Sequence, residues 1–173
     1  LLDLKYHQIT DVSPLANLAD LTSLELGYNS LTDLNGLAGA NLPSLTLMAL
    51  HLNQLTDLTG LASANLPSLT LMALEYNDLT DLNGLANASF PNLTNLQLHK
   101  NQLTDLSGLP NLTRLTVLSR HDNQLTDLSL LTNLTKLTRL YLDNNQLTDL
   151  SVLVDVNLTS LTWLHLSNNQ LTD

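Results

Sequence analysis

The chain has 173 residues, enough for one domain with a hydrophobic core, and 43% of them are hydrophobic although only 3% are aromatic. Sixteen acidic and six basic residues give a formal net charge of −10, which disfavours binding to nucleic acids and to anionic membranes. The sequence has no cysteine and no apolar run of about 18 residues, so it predicts neither disulfides nor membrane insertion.

A short motif, Asn-x-Leu-Thr-Asp-Leu with small variations, recurs along the whole chain, and we take its Asn as the anchor of each repeat. Eight copies are present, and in the first of them His7 stands in the anchor position. The other anchors are Asn29, Asn53, Asn77, Asn101, Asn123, Asn145 and Asn169. We expect each anchor Asn to be buried at a turn and to bridge backbone groups of adjacent repeats, which is a structural role.

The second repeat illustrates the elements predicted within each unit. In "LTSLEL", residues 21–26, apolar and polar residues alternate, which predicts a short strand with Leu24 and Leu26 turned inward. In "LNGLAGANLPS", residues 34–44, Gly, Asn, Ser and Pro end that pattern and provide the crossover that parallel strands need. Repeats are 22 or 24 residues long, and we expect the two extra residues, near Ala40 and Asn41, to enlarge only the side opposite the strands.

An Asp stands four residues after every anchor. These residues are Asp11, Asp33, Asp57, Asp81, Asp105, Asp127, Asp149 and Asp173. The favoured interpretation is that each carboxylate caps backbone N–H groups at the start of the following turn. The alternative is a ladder of calcium sites, but one carboxylate per repeat without a partner acid makes a poor calcium site.

The spacing L-x-x-L-x-L-x-x-N-x-L around each anchor resembles the leucine-rich repeat superfamily from end to end. Within it, "NNQLTDLS" and "ITDVSPLANLADL" look like the short repeats of bacterial internalins and of phosphatase-regulatory leucine-rich proteins. The resemblance implies an α/β solenoid, an arc with a parallel β-sheet on its concave face and loops or short helical turns on its convex face. We expect a single domain of about eight repeats over residues 1–173, a fragment that lacks both polar caps.

The positions that vary most lie six, four, two and one residues before each anchor, and the first three are predicted to face the concave surface. All four Tyr and the single Trp are among them. Tyr, Trp and Arg are enriched at interface hot spots, which favours a binding face over the alternative that Tyr merely covers the sheet. The predicted partner-binding residues, all in the C-terminal half, are His99, Lys100, His121, Arg139, Tyr141, Asp143, Trp163 and His165.

Arg120 interrupts the leucine pattern, because it takes the inward position that Leu98 and Leu142 hold in neighbouring repeats. An unpaired buried guanidinium costs several kcal/mol, so we expect the side chain to reach the edge of the sheet or the strand to be distorted. A departure that is merely tolerated is a third interpretation, and the sequence leaves the choice open.

Titratable residues share one column of the predicted sheet. They are His51, Glu75, His99, His121 and Asp143. His99 and His121 are the candidates for a zinc or nickel ion, but a straight row on an open sheet does not make a tetrahedral cage, so no metal or cofactor is expected. A Ser-His-Asp arrangement, a phosphate loop and a paired-carboxylate cleft are all missing from the sequence, so we expect no catalytic residues and no enzymatic activity.

These patterns favour a non-catalytic module that binds a protein or a glycan through its concave sheet. The resemblance to internalins implies a bacterial surface or secreted protein, and therefore an extracellular or cell-surface location. The resemblance to phosphatase regulators implies the alternative, a cytoplasmic scaffold or enzyme-regulatory subunit. A metal-binding module that uses the His row is the third hypothesis.

Overall fold

The computed structural model describes residues 1–109 and 112–172. Within these ranges eight parallel strands form one open sheet, in which each strand pairs with the next one along the chain. The strands are β1 (Leu2–Asp3), β2 (Ser23–Glu25), β3 (Leu47–Ala49), β4 (Leu71–Ala73), β5 (Asn95–Gln97), β6 (Val117–Ser119), β7 (Arg139–Tyr141) and β8 (Trp163–His165). The predicted α/β solenoid with one strand per repeat is confirmed.

Short helices lie in six of the seven crossovers, and between β5 and β6 the described residues contain none. The 3₁₀ helices are Ser13–Leu15, Asn35–Leu37, Thr59–Leu61 and Ser129–Asn133, and the α-helices are α1 (Asn83–Ala86) and α2 (Val152–Asp155). None of the helices in the described residues has the length and apolarity needed to cross a membrane.

The consensus leucines form one continuous core between the sheet and the helices. In the second repeat, Leu24, Leu26, Leu31, Leu34 and Leu37 are all completely buried, and most of their counterparts in the third to seventh repeats extend the same cluster. In the eighth repeat Leu164 and Leu171 are partly exposed. Each repeat buries its apolar side chains against its neighbours, so the core runs along the whole stack rather than forming a separate unit in each repeat.

The two repeat lengths leave the sheet register unchanged. Ser23 pairs with Leu47 across a 24-residue step, and Asn95 pairs with Val117 across a 22-residue step. The extra residues lie outside the sheet, where Asn41 and Asn65 form an isolated parallel bridge and the Nδ2 of Asn65 donates to the Oδ1 of Asn41 at 2.7 Å. Insertions are therefore absorbed away from the strands, as the sequence predicts.

Every anchor Asn is hydrogen-bonded across two repeats. Asn53 is typical: its Oδ1 accepts the N–H of Leu31 at 3.0 Å, and its Nδ2 donates to the carbonyls of Leu26 and Leu50, both at 3.0 Å. The same bonds recur at Asn29, Asn77, Asn101, Asn123, Asn145 and Asn169. The amides thus satisfy buried backbone groups that the strands leave without partners.

The Asp residues cap the turns, which confirms the capping interpretation. In each of the seven described copies, Oδ1 accepts the backbone N–H two residues further on, at 2.6 to 2.9 Å. These bonds from Ser13 to Asp11 and from Ser107 to Asp105 also hold the pKa of each carboxyl below its ordinary value. Asp173, the eighth member of the column, lies outside the described residues.

A second ladder, of threonines, was not predicted from the sequence. The hydroxyl of Thr46, just before β3, donates to the carbonyl of Thr22 at 2.9 Å. Five further hydroxyls repeat this bond to the preceding repeat, from Thr70, Thr94, Thr116, Thr138 and Thr162. Each of these strands is therefore preceded by a Thr hydroxyl that is hydrogen-bonded to the previous repeat, and it is followed by an anchor Asn that is also bonded across repeats.

The residue before each anchor adopts a left-handed backbone conformation, with φ between 54° and 61° in all eight repeats. These residues are Tyr6, Tyr28, Leu52, Tyr76, Lys100, Asp122, Asn144 and Asn168. Asn and Asp tolerate this region far better than bulky residues do, so the first four repeats carry more strain in this turn than the last three.

Leu52→Asn is therefore expected to raise the free energy of unfolding by about 0.5–1 kcal/mol, because Asn relieves the left-handed strain that Leu incurs at φ 54°. The measurement is urea unfolding of the parent and variant chains. The reciprocal change, Asn144→Leu, serves as the control and should lower stability. Equal stability of parent and both variants would contradict the strain argument.

Arg120 neither reaches the edge of the sheet nor distorts its strand, so both expected escapes are wrong. Its side chain is completely buried, and Leu118 in the same strand keeps its regular register with Leu140. Nη1 donates to the carbonyl of Asp105 at 3.1 Å, while Nε and Nη2 have no hydrogen-bond partner among the described residues. Burial lowers the pKa of Arg120 to about 9, and only the charge of Asp105 opposes that shift. The guanidinium is thus charged at neutral pH and poorly compensated.

Candidate binding face

Strands β2 to β7 each bury their middle residue in the core, as in β2, where Leu24 is buried between the partly exposed Ser23 and Glu25. In β8, the last strand, all three residues are exposed. We call the side of the sheet opposite the core the open face. It carries the residues six, four and two positions before each anchor, and the left-handed residue before the anchor forms its edge. The positions that vary in sequence therefore share one surface.

Five of the predicted binding residues lie together at β7 and β8. Arg139 pairs with Trp163 and Tyr141 pairs with His165 across these strands. The Trp163 ring stacks on the His165 ring, with centroids 5.3 Å apart, and Tyr141 meets His165 edge-on at 5.3 Å. Asp143 completes the group, since its Oδ2 lies 3.6 Å from the Nδ1 of His165. We call these five residues the C-terminal patch.

The C-terminal patch combines an exposed aromatic surface with an available cation. The Trp163 side chain is 51% exposed. Arg139 is also exposed and, within the described part of the chain, forms no ion pair. Asp143, by contrast, is engaged, because its Oδ1 accepts the N–H of Ser167 at 3.1 Å. The patch thus offers a flat ring and a guanidinium to a partner.

The other three predicted residues form a second group on β5 and β6. The His99 and His121 rings stack face to face, 4.2 Å apart and within 13° of parallel. The Nδ1 of His121 lies 3.0 Å from the hydroxyl of Ser119, and the Lys100 ammonium lies 3.4 Å from the carboxylate of Asp122. These side chains contact each other or their neighbours, so they are less available to a partner than Arg139 and Trp163.

A row of polar contacts along the edge connects the two groups. Asp122 pairs with Lys100 and also accepts a hydrogen bond from the Nδ2 of Asn144 at 2.8 Å. The Oδ1 of Asn144 in turn accepts the Nδ2 of Asn168 at 2.8 Å. The eight predicted residues therefore lie along one surface of four adjacent strands, but they do not converge on a single point.

The His row does not bring its side chains together as the ligands of one metal ion would be. Across residues 1–109 and 112–172, no three His, Cys, Asp or Glu side chains are placed so that they could hold a metal. Stacked imidazoles such as His99 and His121 lie plane on plane, whereas ligands of one ion must converge on it. The open face presents aromatic rings, side-chain amides and single charges.

His99 makes the stability of the chain depend on pH. Burial, and then the neighbouring His121 and Lys100, lower the pKa of His99 from 6.5 to about 4, with Asp122 acting in the opposite direction. The unfolded chain therefore takes up a proton near pH 6.5, whereas the folded chain does so only near pH 4. We expect the contribution of neutral His99 to the free energy of unfolding to be complete above pH 6.5 and to be lost as the pH falls from 6.5 towards 4.

The measurement is thermal unfolding at a series of pH values for the parent and for His99→Gln, which has no group that titrates in this window. The variant should lose less stability on acidification than the parent. Parallel curves for the two chains would show that His99 does not couple to folding.

Known protein families and structures match this architecture. Family models described as "Leucine rich repeat" and "Leucine Rich repeats (2 copies)" match residues 19–79 and 113–155. A search of curated proteins gives no significant match. The chain is thus related to known proteins through its repeats and its fold.

Among solved structures, an internalin (inlF) from Listeria monocytogenes is 41% identical with a TM-score of 0.79, over 96% of this chain and 47% of that one. This chain therefore spans about half the length of that internalin. Internalin C2 (inlC2) from the same organism is 36% identical with a TM-score of 0.86, over 99% of this chain and 72% of that one. The plant peptide hormone receptor RGFR1, solved in complex with RGF2, shares the fold at 21% identity and a TM-score of 0.65, over 94% of this chain and 30% of that one.

Proposed function

Since the chain belongs to the leucine-rich repeat family and is similar to internalins over nearly its whole length, we propose that it is a non-catalytic module that binds a macromolecule on its open face. The occupant is a protein or a glycan, and the C-terminal patch is the main contact. Residues 1–173 act as one domain in this proposal.

The observation that carries the proposal is the exposed cluster of Trp163, Tyr141, His165 and Arg139 on two adjacent strands. Aromatic rings and arginine are enriched among the residues that contribute most at protein interfaces. Tyr and Trp bury much area there with little loss of side-chain freedom. The His165 ring contacts both Tyr141 and Trp163, and Asp143 lies beside it. These contacts limit the motion of the cluster before the partner arrives, which lowers the entropic cost of binding.

The proposed location is extracellular or at the bacterial cell surface. The support for it is the similarity to two internalins of Listeria monocytogenes, at 41% and 36% identity. A cytoplasmic scaffold or enzyme-regulatory subunit is the alternative, and the compartment that supplies the partner distinguishes the two.

The test is a comparative capture experiment. The parent chain and a triple variant, Tyr141→Ala, Trp163→Ala and His165→Ala, are immobilised and exposed to cell-surface and cytosolic extracts. A matched control carries Thr80→Ala, Thr104→Ala and Thr126→Ala at exposed turn positions. Proteins and glycans retained by the parent and by the control, but lost by the folded C-terminal triple variant, would support the proposal.

Two outcomes would overturn this proposal. If the triple variant retains the same molecules as the parent, the C-terminal patch is not the contact. If all three chains retain nothing from either extract, the open face is not a general binding surface. Unfolding curves of each variant establish that it is folded, so a lost partner is not confused with a lost fold.

A further inference from the structure

Charge is distributed unevenly along the solenoid. Residues 1–99 contain nine acidic residues and a single basic one, Lys5, whereas residues 100–173 contain seven acidic and five basic residues. Lys5 lies 3.3 Å from the carboxylate of Glu25 and 3.5 Å from that of Asp3, so it is already paired. The N-terminal half therefore has a strong excess of negative charge, which attracts and steers positively charged partners.

Aromatic rings line the edge of the open face in this same half. The rings of Tyr6 and Tyr28 stack 4.3 Å apart, and Tyr28 meets the imidazole of His51 edge-on at 5.5 Å. Two repeats further on, Tyr76 meets the imidazole of His99 edge-on at 5.6 Å. Tyr6, Tyr28 and Tyr76 are 69%, 40% and 43% exposed, respectively. We call these three tyrosines and Leu52 between them the N-terminal edge.

The tyrosines occupy backbone positions that favour other residues. Each has φ near 60°, the left-handed region, and the same turn in later repeats is made by Asp122, Asn144 and Asn168. Because Asp and Asn fit this conformation with less strain, Tyr at three of these sites adds backbone strain to the turn. Strain that is retained in this way points to a role for the rings outside the fold.

The chain itself shows what such a ring binds. The Lys100 ammonium lies 5.6 Å from the centroid of the Tyr76 ring, within the range of a cation–π contact. A shallow hollow beside this pair is lined by Leu52, Gln54, Tyr76, Asp78 and Lys100. Asp78, one of the residues that line the hollow, is exposed, and an acid beside an aromatic face suits a cationic side chain.

We propose that the N-terminal edge is a second docking site, and that its occupant is an extended lysine- or arginine-rich segment of a partner protein. Successive cationic side chains of this segment lie against Tyr6, Tyr28 and Tyr76, while the acidic N-terminal half holds them by long-range attraction. This site is distinct from the C-terminal patch, which presents a cation of its own, and the two bind independently.

The test measures binding of a fluorescent 12-residue peptide of alternating lysine and serine by anisotropy at moderate salt. The informative variant carries Tyr6→Asn, Tyr28→Asn and Tyr76→Asn, because Asn fits the left-handed turn and preserves the fold. We expect this variant to bind the peptide about tenfold more weakly, as the loss of several cation–π contacts implies, and to be at least as stable as the parent. The corresponding triple change to Phe keeps the ring faces and should bind like the parent.

Three results would overturn the proposal. If the Asn triple variant binds the peptide as tightly as the parent does, the tyrosines do not contribute and the peptide is held only by the net negative charge. Loss of binding in the C-terminal triple variant alone would place the basic segment on the other patch. Failure of the lysine–serine peptide to bind, together with tyrosine-dependent binding of a neutral chito-oligosaccharide, would identify the edge as a glycan site. Because the capture experiment uses different variants, failure here leaves the proposed function of the C-terminal patch unaffected.

Discussion

Arg120→Leu is expected to raise the free energy of unfolding by about 3 kcal/mol, since replacing a buried, poorly compensated charge by an apolar residue commonly stabilises a protein by roughly 1–4 kcal/mol. The wild-type guanidinium is completely buried and makes one side-chain hydrogen bond, to the carbonyl of Asp105. Leucine occupies the equivalent position in both neighbouring repeats, as Leu98 and Leu142, so the site suits its shape. Urea unfolding followed by circular dichroism measures the change.

The control for this prediction is Arg114→Leu. Arg114 is exposed and donates to the Oδ1 of Asn92 at 2.9 Å, and its replacement should change stability by no more than about 0.5 kcal/mol. The burial argument would be wrong if Arg120→Leu destabilised the chain or matched the control. In that case the cost of burying the Arg120 charge would be offset by interactions other than its hydrogen bond to Asp105.

Asn77→Ala is expected to lower the free energy of unfolding by about 3 kcal/mol, because each buried backbone group left without a partner costs about 1–3 kcal/mol. The Oδ1 of Asn77 accepts the N–H of Leu55 at 2.9 Å, and its Nδ2 donates to the carbonyls of Leu50 and Leu74 at 3.1 and 3.0 Å. Alanine removes all three bonds inside the stack, where water does not replace them.

Gln102→Ala is the matched control, since it removes a side-chain amide that is exposed and donates only to the Oδ1 of Asp78 at 2.9 Å. Chemical unfolding should show a change of no more than about 0.5 kcal/mol for this variant. A loss for Asn77→Ala as small as that of the control would mean that the Asn ladder contributes little to stability.

The fold was predictable because the sequence repeats the same physical requirement eight times. The leucine spacing fits one strand per repeat, and each repeat has an Asn at its turn. Together these two features predict the solenoid. The capping role of the Asp column also followed from sequence, because a carboxylate at the start of a turn has an obvious donor two residues on. The strand register is the same for both repeat lengths because the periodic positions form the core and the extra residues lie in the loops.

Features that depend on backbone angles were missed. The left-handed turn before each anchor left a signal in Asp122, Asn144 and Asn168, but Tyr and Leu at the same position in earlier repeats obscured it. The threonine ladder was not predicted because a hydroxyl just before a strand does not by itself indicate which carbonyl it bonds. The placement of Arg120 stayed open, since sequence gives the cost of a buried charge but does not show whether the packing around the side chain lets it reach solvent.

The candidate site was only partly predictable. Sequence placed Arg139, Tyr141, Trp163 and His165 on one face because strand alternation and repeat register are regular. It did not show that His99 and His121 stack on each other, or that Asp143 is engaged by His165 and Ser167. Nor did it show that Tyr6 stacks on Tyr28 or that Tyr76 meets His99 edge-on. Side-chain contacts between repeats are decided by rotamers, which a single sequence does not specify.

The most direct test of the central claim uses the fact that Trp163 is the only tryptophan in the chain. Incorporation of 5-fluorotryptophan gives a single fluorine resonance at the C-terminal patch, which is titrated with a molecule recovered in the capture experiment. If the open face binds through this patch, the resonance shifts and saturates with the same dissociation constant as the binding itself. A partner that binds while the resonance of Trp163 remains unchanged would contradict the account.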